Sequence, residues 1–156
     1  MSINQLSIFV ENKAGRIANI SEVLFEANID IRAISIADTS DFGILRLIVD
    51  NPDKAVSALK NANIAVSVTS VIAIGINDKP GEFYKAVRLL ADEGIGIEYM
   101  YAFISREENK AFVILRINEE NRALEILQQN GISILTAEQL HNMWWKPYIH
   151  LNEYRV

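Results

Sequence analysis

Hydrophobic residues form two kinds of pattern along this chain, one typical of helices and one of strands, and both occur twice in the same order. A spacing of three to four, typical of one buried helical face, connects Ile17, Ile20, Val23 and Leu24, and again Phe83, Ala86, Leu89 and Leu90. Runs rich in β-branched and aromatic residues, which favour strands, follow at Ile29–Ala37, Ile44–Val49, Ile95–Ile104 and Phe112–Ile117. Polar turns separate the runs within each copy, so the pattern predicts a helix followed by a hairpin, twice.

The two copies form an internal repeat. Gly15 and Gly81 lie 66 positions apart, and the residues around each glycine align at the same offset. Beyond the hairpin the offset becomes 68, because the second copy has two extra residues in its turn. A second short helix then aligns, with Ala55, Val56 and Leu59 matching Ala123, Leu124 and Leu127.

A last strand near 64–69 and near 132–136 completes each copy as strand, helix, strand, strand, helix, strand. This order predicts an α+β fold of two tandem ferredoxin-like βαββαβ sandwiches, with antiparallel sheets and helices on one face. The run Ile64–Ile76 is interpreted as two strands joined end to end, so units at 1–69 and 70–136 should pack on each other. Within Ile29–Ala37 the apolar positions change face, which indicates a bulge or a strand buried on both faces.

The last part of the chain, 137–156, matches nothing in the repeat and is rich in aromatic residues. We expect it to pack on the two units or on a partner subunit, because a mobile tail rarely exposes so many aromatic rings. As an alternative, Trp144 and Trp145 form a docking surface or a wall of an effector site.

The charge and composition of the chain indicate which classes of molecule it can bind. The chain has 15 Lys and Arg against 20 Asp and Glu, a net charge of −5, which disfavours nucleic acid. Ile64–Ile76 is shorter than the roughly 18 to 20 apolar residues that span a bilayer, so we expect no membrane segment. The absence of cysteine excludes disulfides and thiol chemistry, and together with a start unlike a secretory signal it favours the cytoplasm.

Motifs for catalysis are missing from the sequence. It contains no Gly-x-Ser-x-Gly elbow, no His-Glu-x-x-His and no P-loop. Gly94-Ile95-Gly96 follows a helix where a dinucleotide fingerprint must follow a strand, and His141 and His150 are too far apart to bind one metal from one helical turn. We therefore expect no catalytic residue, no metal and no cofactor.

The most informative segment is the loop before the first helix of each copy. Glycine there allows a close approach of the backbone, and the unpaired amides of a helix N-terminus attract a carboxylate. Three residues earlier, Asn12 or Asp78 is placed to accept a hydrogen bond from an ammonium group. Carboxylate and ammonium together indicate an α-amino acid. The alternative is that these loops only start their helices, with Asn12 and Asp78 helping to cap them.

The chain resembles two ACT domains in tandem. The resemblance rests on the loop Asp78-Lys79-Pro80-Gly81-Glu82-Phe83, on the equivalent loop at 12–17, and on the segments at 28–31 and 94–97. The resemblance implies a regulatory protein that binds amino acids where domains meet, through the strand-one/helix-one loop and the start of strand two. Carried over by position, the implied ligand-binding residues are Asn12, Ala14, Gly15, Arg16, Ile17, Asp30 and Ile31, and Asp78, Pro80, Gly81, Glu82, Phe83, Gly96 and Ile97.

Two functions remain open at this point. One is a non-catalytic allosteric sensor that binds an amino acid and regulates a partner, as a homo-dimer or with a partner enzyme. The other is a regulatory or assembly subunit of an enzyme of amino-acid metabolism, similar to the small subunit of acetolactate synthase, in which ligand binding is weak or vestigial.

Overall fold

The computed structural model describes residues 2–38, 41–103 and 109–144. The first half contains β1 (Ile3–Glu11), α1 (Arg16–Glu26), β2 (Ile31–Asp38), β3 (Phe42–Val49) and α2 (Pro52–Asn61), and it leads into β4 (Val66–Asn77). The second half contains α3 (Glu82–Asp92), β5 (Ile97–Phe103), β6 (Lys110–Ile117), α4 (Glu120–Gln129), β7 (Ser133–Leu135) and α5 (Ala137–Trp144). The element order confirms the predicted tandem βαββαβ fold.

Strand β4 belongs to both halves. Val66–Val71 pairs with β1, whereas Ile72–Asn77 pairs with β6 and partly with β7, and every pairing is antiparallel. The strand order is β2-β3-β1-β4-β6-β5, with β7 beside β4. We call β1 to Val71 the first unit and Ile72 to β7 the second unit. The boundary expected at 69/70 therefore falls within a continuous strand.

Each unit has its own core between its sheet and its two helices. In the first unit Leu6 and Leu47 of the sheet pack with Leu24 of α1 and Leu59 of α2. In the second unit Ile74 and Leu115 pack with Leu90 and Leu127 at equivalent places. Those helical residues lie on the buried faces that the three-to-four spacing predicts.

The sheet faces without helices pack against each other. A third apolar cluster joins Ile3, Ala33 and Ile48 of the first unit to Ala73, Phe112, Ile114 and Leu135 of the second. Gln5, fully buried, donates from Nε2 to the Tyr99 hydroxyl at 2.8 Å and accepts from the Tyr101 hydroxyl at 3.0 Å. The Arg46 guanidinium lies 3.9 Å from the centre of the Tyr99 ring. Because these contacts satisfy the buried amide, they fix how the units are oriented.

Local signals in the sequence behave as expected. Asn28 and Gly94, just after α1 and α3, have φ values of 51° and 71°, the left-handed conformation that ends helices. Asn51 caps α2, since its side chain accepts from the Lys54 amide at 3.1 Å. The register of β2 against β3 shifts between Ile31 and Ala33, which is consistent with a bulge, one of the two explanations expected from the sequence.

The segment after β7 begins with helix α5, which the sequence reasoning did not predict. Its Leu140 is buried in the cluster between the units, so this helix packs on the protein's own sheets. Residues 145–156, which include Trp145 and most of the expected aromatic tail, lie outside the described residues, and so does the Trp144 side chain. Among the described helices, none is long and apolar enough to cross a membrane.

Candidate functional site

The two loops that precede α1 and α3 have the same backbone construction. Gly15 and Gly81 stand at the helix starts with φ values of +85° and +91°. The Asn12 amide donates to Asp41 O and the Asp78 amide donates to Asn109 O, both at 2.9 Å, which holds each loop beside the neighbouring hairpin turn. A Cβ added at either glycine would have no atom within 4 Å. Within the chain itself, positive φ and not lack of space is therefore the reason for glycine.

The start of α3 offers hydrogen-bond donors to a ligand. Among the described residues, no backbone carbonyl accepts from the amides of Phe83 and Tyr84. The first amides of a helix lack partners within the helix and together with the helix dipole favour an anion. A carboxylate group is therefore an appropriate ligand for this place.

The side chains of the two loops carry different charges in equivalent positions. In the first loop, Glu11 Oε2 accepts from Arg16 Nη2 at 3.0 Å and is 3.1 Å from Lys13 Nζ. The hydrogen bond from Arg16, followed by that from Lys13, lowers the pKa of Glu11 below its usual value. Arg16, one of the expected ligand-binding residues, is thus already engaged by a carboxylate of its own chain.

In the second loop the predicted residue Glu82 is engaged instead. Its carboxylate pairs with Lys85 and accepts from Asn77 Nδ2 at 3.4 Å, and the hydrogen bond from Lys85 lowers the pKa of Glu82. The Asp78 carboxylate accepts no hydrogen bond among the described residues. Asp78 is consequently the acidic group of this loop that can accept from a ligand.

A cavity of about 360 Å³ lies beside the second loop. Asn77, Asp78 and Lys79 form its loop side, Phe83 comes from α3, Met100, Tyr101 and Ala102 come from β5, and Ile76, Ala111 and Val113 complete the lining. Its walls are mainly apolar and its acidic group is at the loop, the usual composition of a small-molecule site. The structure thus brings two predicted residues, Asp78 and Phe83, to one cavity.

The first unit differs at the equivalent place. The repeat puts Ile34 and Ile36 of β2 where β5 has Met100 and Ala102, so a branched side chain replaces the small alanine. The cavity of about 250 Å³ beside the first loop lies on another side, where Arg16 and Asn19 face Asn63 and Ala65. The two loops are alike, but the spaces next to them are not.

The residues expected at the start of strand two lie far from the loops. Strand β1 pairs antiparallel with β3, and β3 pairs antiparallel with β2, so β1 and β2 run parallel. The loop follows the end of β1, whereas Asp30 and Ile31 precede or begin β2. At a rise of about 3.3 Å per residue the separation is on the order of 20 Å. The same topology separates Gly96 and Ile97 from Asp78.

A match to the ACT domain pair extends over residues 1–144. The chain belongs to this family. ACT domains are a regulatory domain type that binds amino acids. The family resemblance of the two glycine loops is thereby confirmed.

Solved structures resemble the whole ACT pair. Protein BT0572 from Bacteroides thetaiotaomicron superposes with a TM-score of 0.85 at 42% identity, over 90% of this chain and 96% of that chain. The regulatory subunit of aspartate kinase from Thermus thermophilus superposes with a TM-score of 0.57 at 20% identity, over 82% of this chain and 92% of that chain, and shares the fold. A comparison with curated proteins gives no significant match.

The strand residues that line the cavity beside the second loop were not predicted as part of a site. Met100 and Ala102 were expected only as strand residues, because their apolar side chains carry no chemical signature. The signal that was present is the repeat itself, since Ala102 is small where Ile36 is large. The described residues contain no group of three His, Asp or Glu side chains that could hold a metal ion.

Proposed function

We propose that this ACT pair is a non-catalytic sensor that binds an amino acid beside its second loop and regulates a partner in the cytoplasm. The observation that carries the proposal is the meeting of three features at one cavity. These are the Asp78 carboxylate, which accepts no hydrogen bond from the described residues, the Phe83 and Tyr84 amides, which donate to no described backbone carbonyl, and apolar walls from Phe83 and Met100.

Each feature suits one part of an α-amino acid. The carboxylate of the ligand accepts from the Phe83 and Tyr84 amides, and its ammonium donates to Asp78 in a charge-assisted hydrogen bond. The side chain of the ligand enters the apolar cavity, where burial of its surface adds to the affinity. No catalytic residue is assigned.

A homo-dimer is part of the proposal. Because the loop residues and the strand-two residues lie at opposite ends of each sheet, a ligand that touches both sets needs them from two molecules. Strand β2 is an edge of the sheet, and Ile34 and Ile36 are exposed on it. An exposed apolar edge strand favours pairing with another chain.

A thermal-shift screen of the twenty common amino acids tests the sensor. A ligand at 100 times its dissociation constant stabilises the fold by about 2.7 kcal/mol, which raises the melting temperature by several degrees. Asp78→Asn should abolish this response without unfolding the protein, because the Asp78 side chain is exposed and unpaired among the described residues. Glu125→Gln, a similar change on an exposed face of α4, should leave it intact. A response that survives Asp78→Asn would remove the second loop from the site.

A regulatory or assembly subunit remains a second candidate, and an exposed aromatic pair favours it. Phe9 and Phe42 stack with ring centres 5.0 Å apart on the helix-free face of the first unit, and Phe9 is 64% exposed. Exposed apolar patches often mark protein interfaces. A stoichiometric partner enzyme that co-purifies without added amino acid, and is lost in Phe9→Ser, would support this role. A homo-oligomer unchanged by Phe9→Ser would count against it.

A further inference from the structure

Two polar side chains line the cavity beside the second loop, and both already use their hydrogen-bonding groups within the protein. Asn77 Nδ2 donates to the Glu82 carboxylate at 3.4 Å, and Asn77 Oδ1 accepts from Lys110 Nζ at 3.0 Å. The Tyr101 hydroxyl donates to the buried Gln5 at 3.0 Å, in the contact between the units. These groups are therefore committed to the fold and do not select a polar ligand.

The remaining charged side chains of the lining, Asp78 and Lys79, belong to the loop. The proposed function places the ammonium and carboxylate of the ligand on this side, so the rest of the ligand extends toward Met100, Ala102 and Val113. A charged or polar side chain there would lose water without gaining a hydrogen bond. An apolar side chain gains from the same burial.

The size of the cavity favours a large side chain. Its volume of about 360 Å³ is near the lower end of ligand pockets, which measure roughly 300–1,000 Å³. Alanine would leave most of the apolar wall in contact with water, whereas each further buried methylene group strengthens binding by roughly fourfold. The Phe83 ring and the flexible Met100 thioether are walls that suit an aromatic or long aliphatic group.

The repeat identifies the residue that keeps this space open. Ala102 lies opposite Val113 in the second hairpin, and Ile36 lies opposite Leu45 at the same place in the first. A methyl group in the second unit thus stands where the first unit has a branched four-carbon group. Ala102 is exposed, so a larger side chain at this position would occupy the cavity and would not disrupt the core.

On the basis of the proposed amino-acid site, we propose that this site selects an amino acid with a large apolar side chain, such as phenylalanine, leucine or methionine. Ala102 is the specificity-determining residue, because its small side chain leaves the room that the ligand's side chain fills. Ile36 narrows the equivalent space in the first unit, so each chain binds one ligand, at the second loop.

Isothermal titration of the full chain with phenylalanine, leucine, alanine, serine, lysine and aspartate tests this specificity. We expect the two large apolar amino acids to bind at least about tenfold more tightly than the other four, at one site per chain. Ala102→Ile should weaken the binding of phenylalanine by about tenfold to a hundredfold and should change the affinity for alanine by less than about threefold. Ala37→Ile, the same change at an exposed position of β2, should alter neither affinity.

Nuclear magnetic resonance of the wild-type protein labelled at its methionine methyl groups gives a second readout that needs no variant to bind. The Met100 resonance is assigned from its absence in Met100→Leu. Saturating phenylalanine should shift this resonance through the ring current of the bound side chain, and saturating leucine should shift it less. A Met100 resonance that stays in place at saturation would overturn the assigned position of the ligand's side chain.

The outcomes separate this specificity from the proposed function on which it rests. Binding that is lost in Asp78→Asn but prefers small or charged amino acids, or is unaffected by Ala102→Ile, would overturn the specificity and leave the sensor standing. Absence of binding by all the amino acids, or binding unchanged in Asp78→Asn, would overturn both.

Discussion

At the scale of single residues, the hydrogen bonds and ion pairs that a polar side chain makes within the protein decide whether it is available to a ligand. Arg16 and Glu82 were expected in the ligand site, but each is paired within its own loop region. Asp78 keeps its carboxylate unpaired among the described residues, whereas the buried Gln5 uses both ends of its amide. The sequence identified the residue types, but their availability depends on neighbours that are distant along the chain.

Tyr101 gives a prediction about alkaline pH. Burial raises the pKa of Tyr101 above its ordinary value of about 10, because desolvation disfavours the charged phenolate. The stabilisation is complete below about pH 10 and is lost as the pH rises above that value. Urea unfolding between pH 7 and pH 11 should show this decline.

Substitutions of single tyrosines distinguish the titration of Tyr101 from other effects of alkaline pH on stability. Tyr101→Phe should reduce the decline and should cost about 1 kcal/mol at pH 7, since it leaves the Gln5 carbonyl without a partner. Tyr84→Phe, at a tyrosine that is 64% exposed, should change neither quantity appreciably. An equal effect of the two substitutions would contradict the role given to Tyr101.

At the scale of helices and strands, local sequence patterns were sufficient to predict most elements of the fold. Apolar spacing located α1 to α4, and Asn51 and Pro52 marked the start of α2 as they do in the structure. Helix α5 was missed because no equivalent exists in the repeat to support it. The space beside each loop was also missed, because it depends on which side chain a neighbouring strand presents.

The start of α3 provides an element-scale prediction. Gly81→Ala should destabilise the protein by about 1–2 kcal/mol, because an L-residue is strained at φ +91°. Gly96→Ala is the matched control, since it has neither positive φ nor any atom close to the added Cβ. Urea denaturation of the two variants should show the difference, and equal stabilities would indicate that the loop can adopt another conformation.

At the scale of the whole molecule, the units depend on each other. They share β4, and the cluster between them includes Ile3, Ile48 and Phe112, which are nearly fully buried. A unit of about 70 residues that folds alone buries a smaller fraction of its unfolded-chain surface than a larger domain does. The two halves therefore form one stable body.

A fragment of residues 1–71 tests this dependence. It keeps the first core but loses the second unit's side of the interface, so Ile3, Ala33 and Ile48 become exposed. We expect the full chain to unfold in one cooperative transition and the fragment to be unfolded or to melt far lower, as measured by circular dichroism. A fragment that melts at the temperature of the full chain would show that the units are independent.

The sequence by itself determined the repeat, the order of elements and the two glycine turns. These follow from periodic side chains and from φ preferences, which act over a few residues. The tertiary structure decided that one strand, β4, pairs within both units and that the cavity at the second loop includes Met100 and Ala102. Those properties arise where distant segments meet, and the geometry of such meetings is set by the packing of the whole chain.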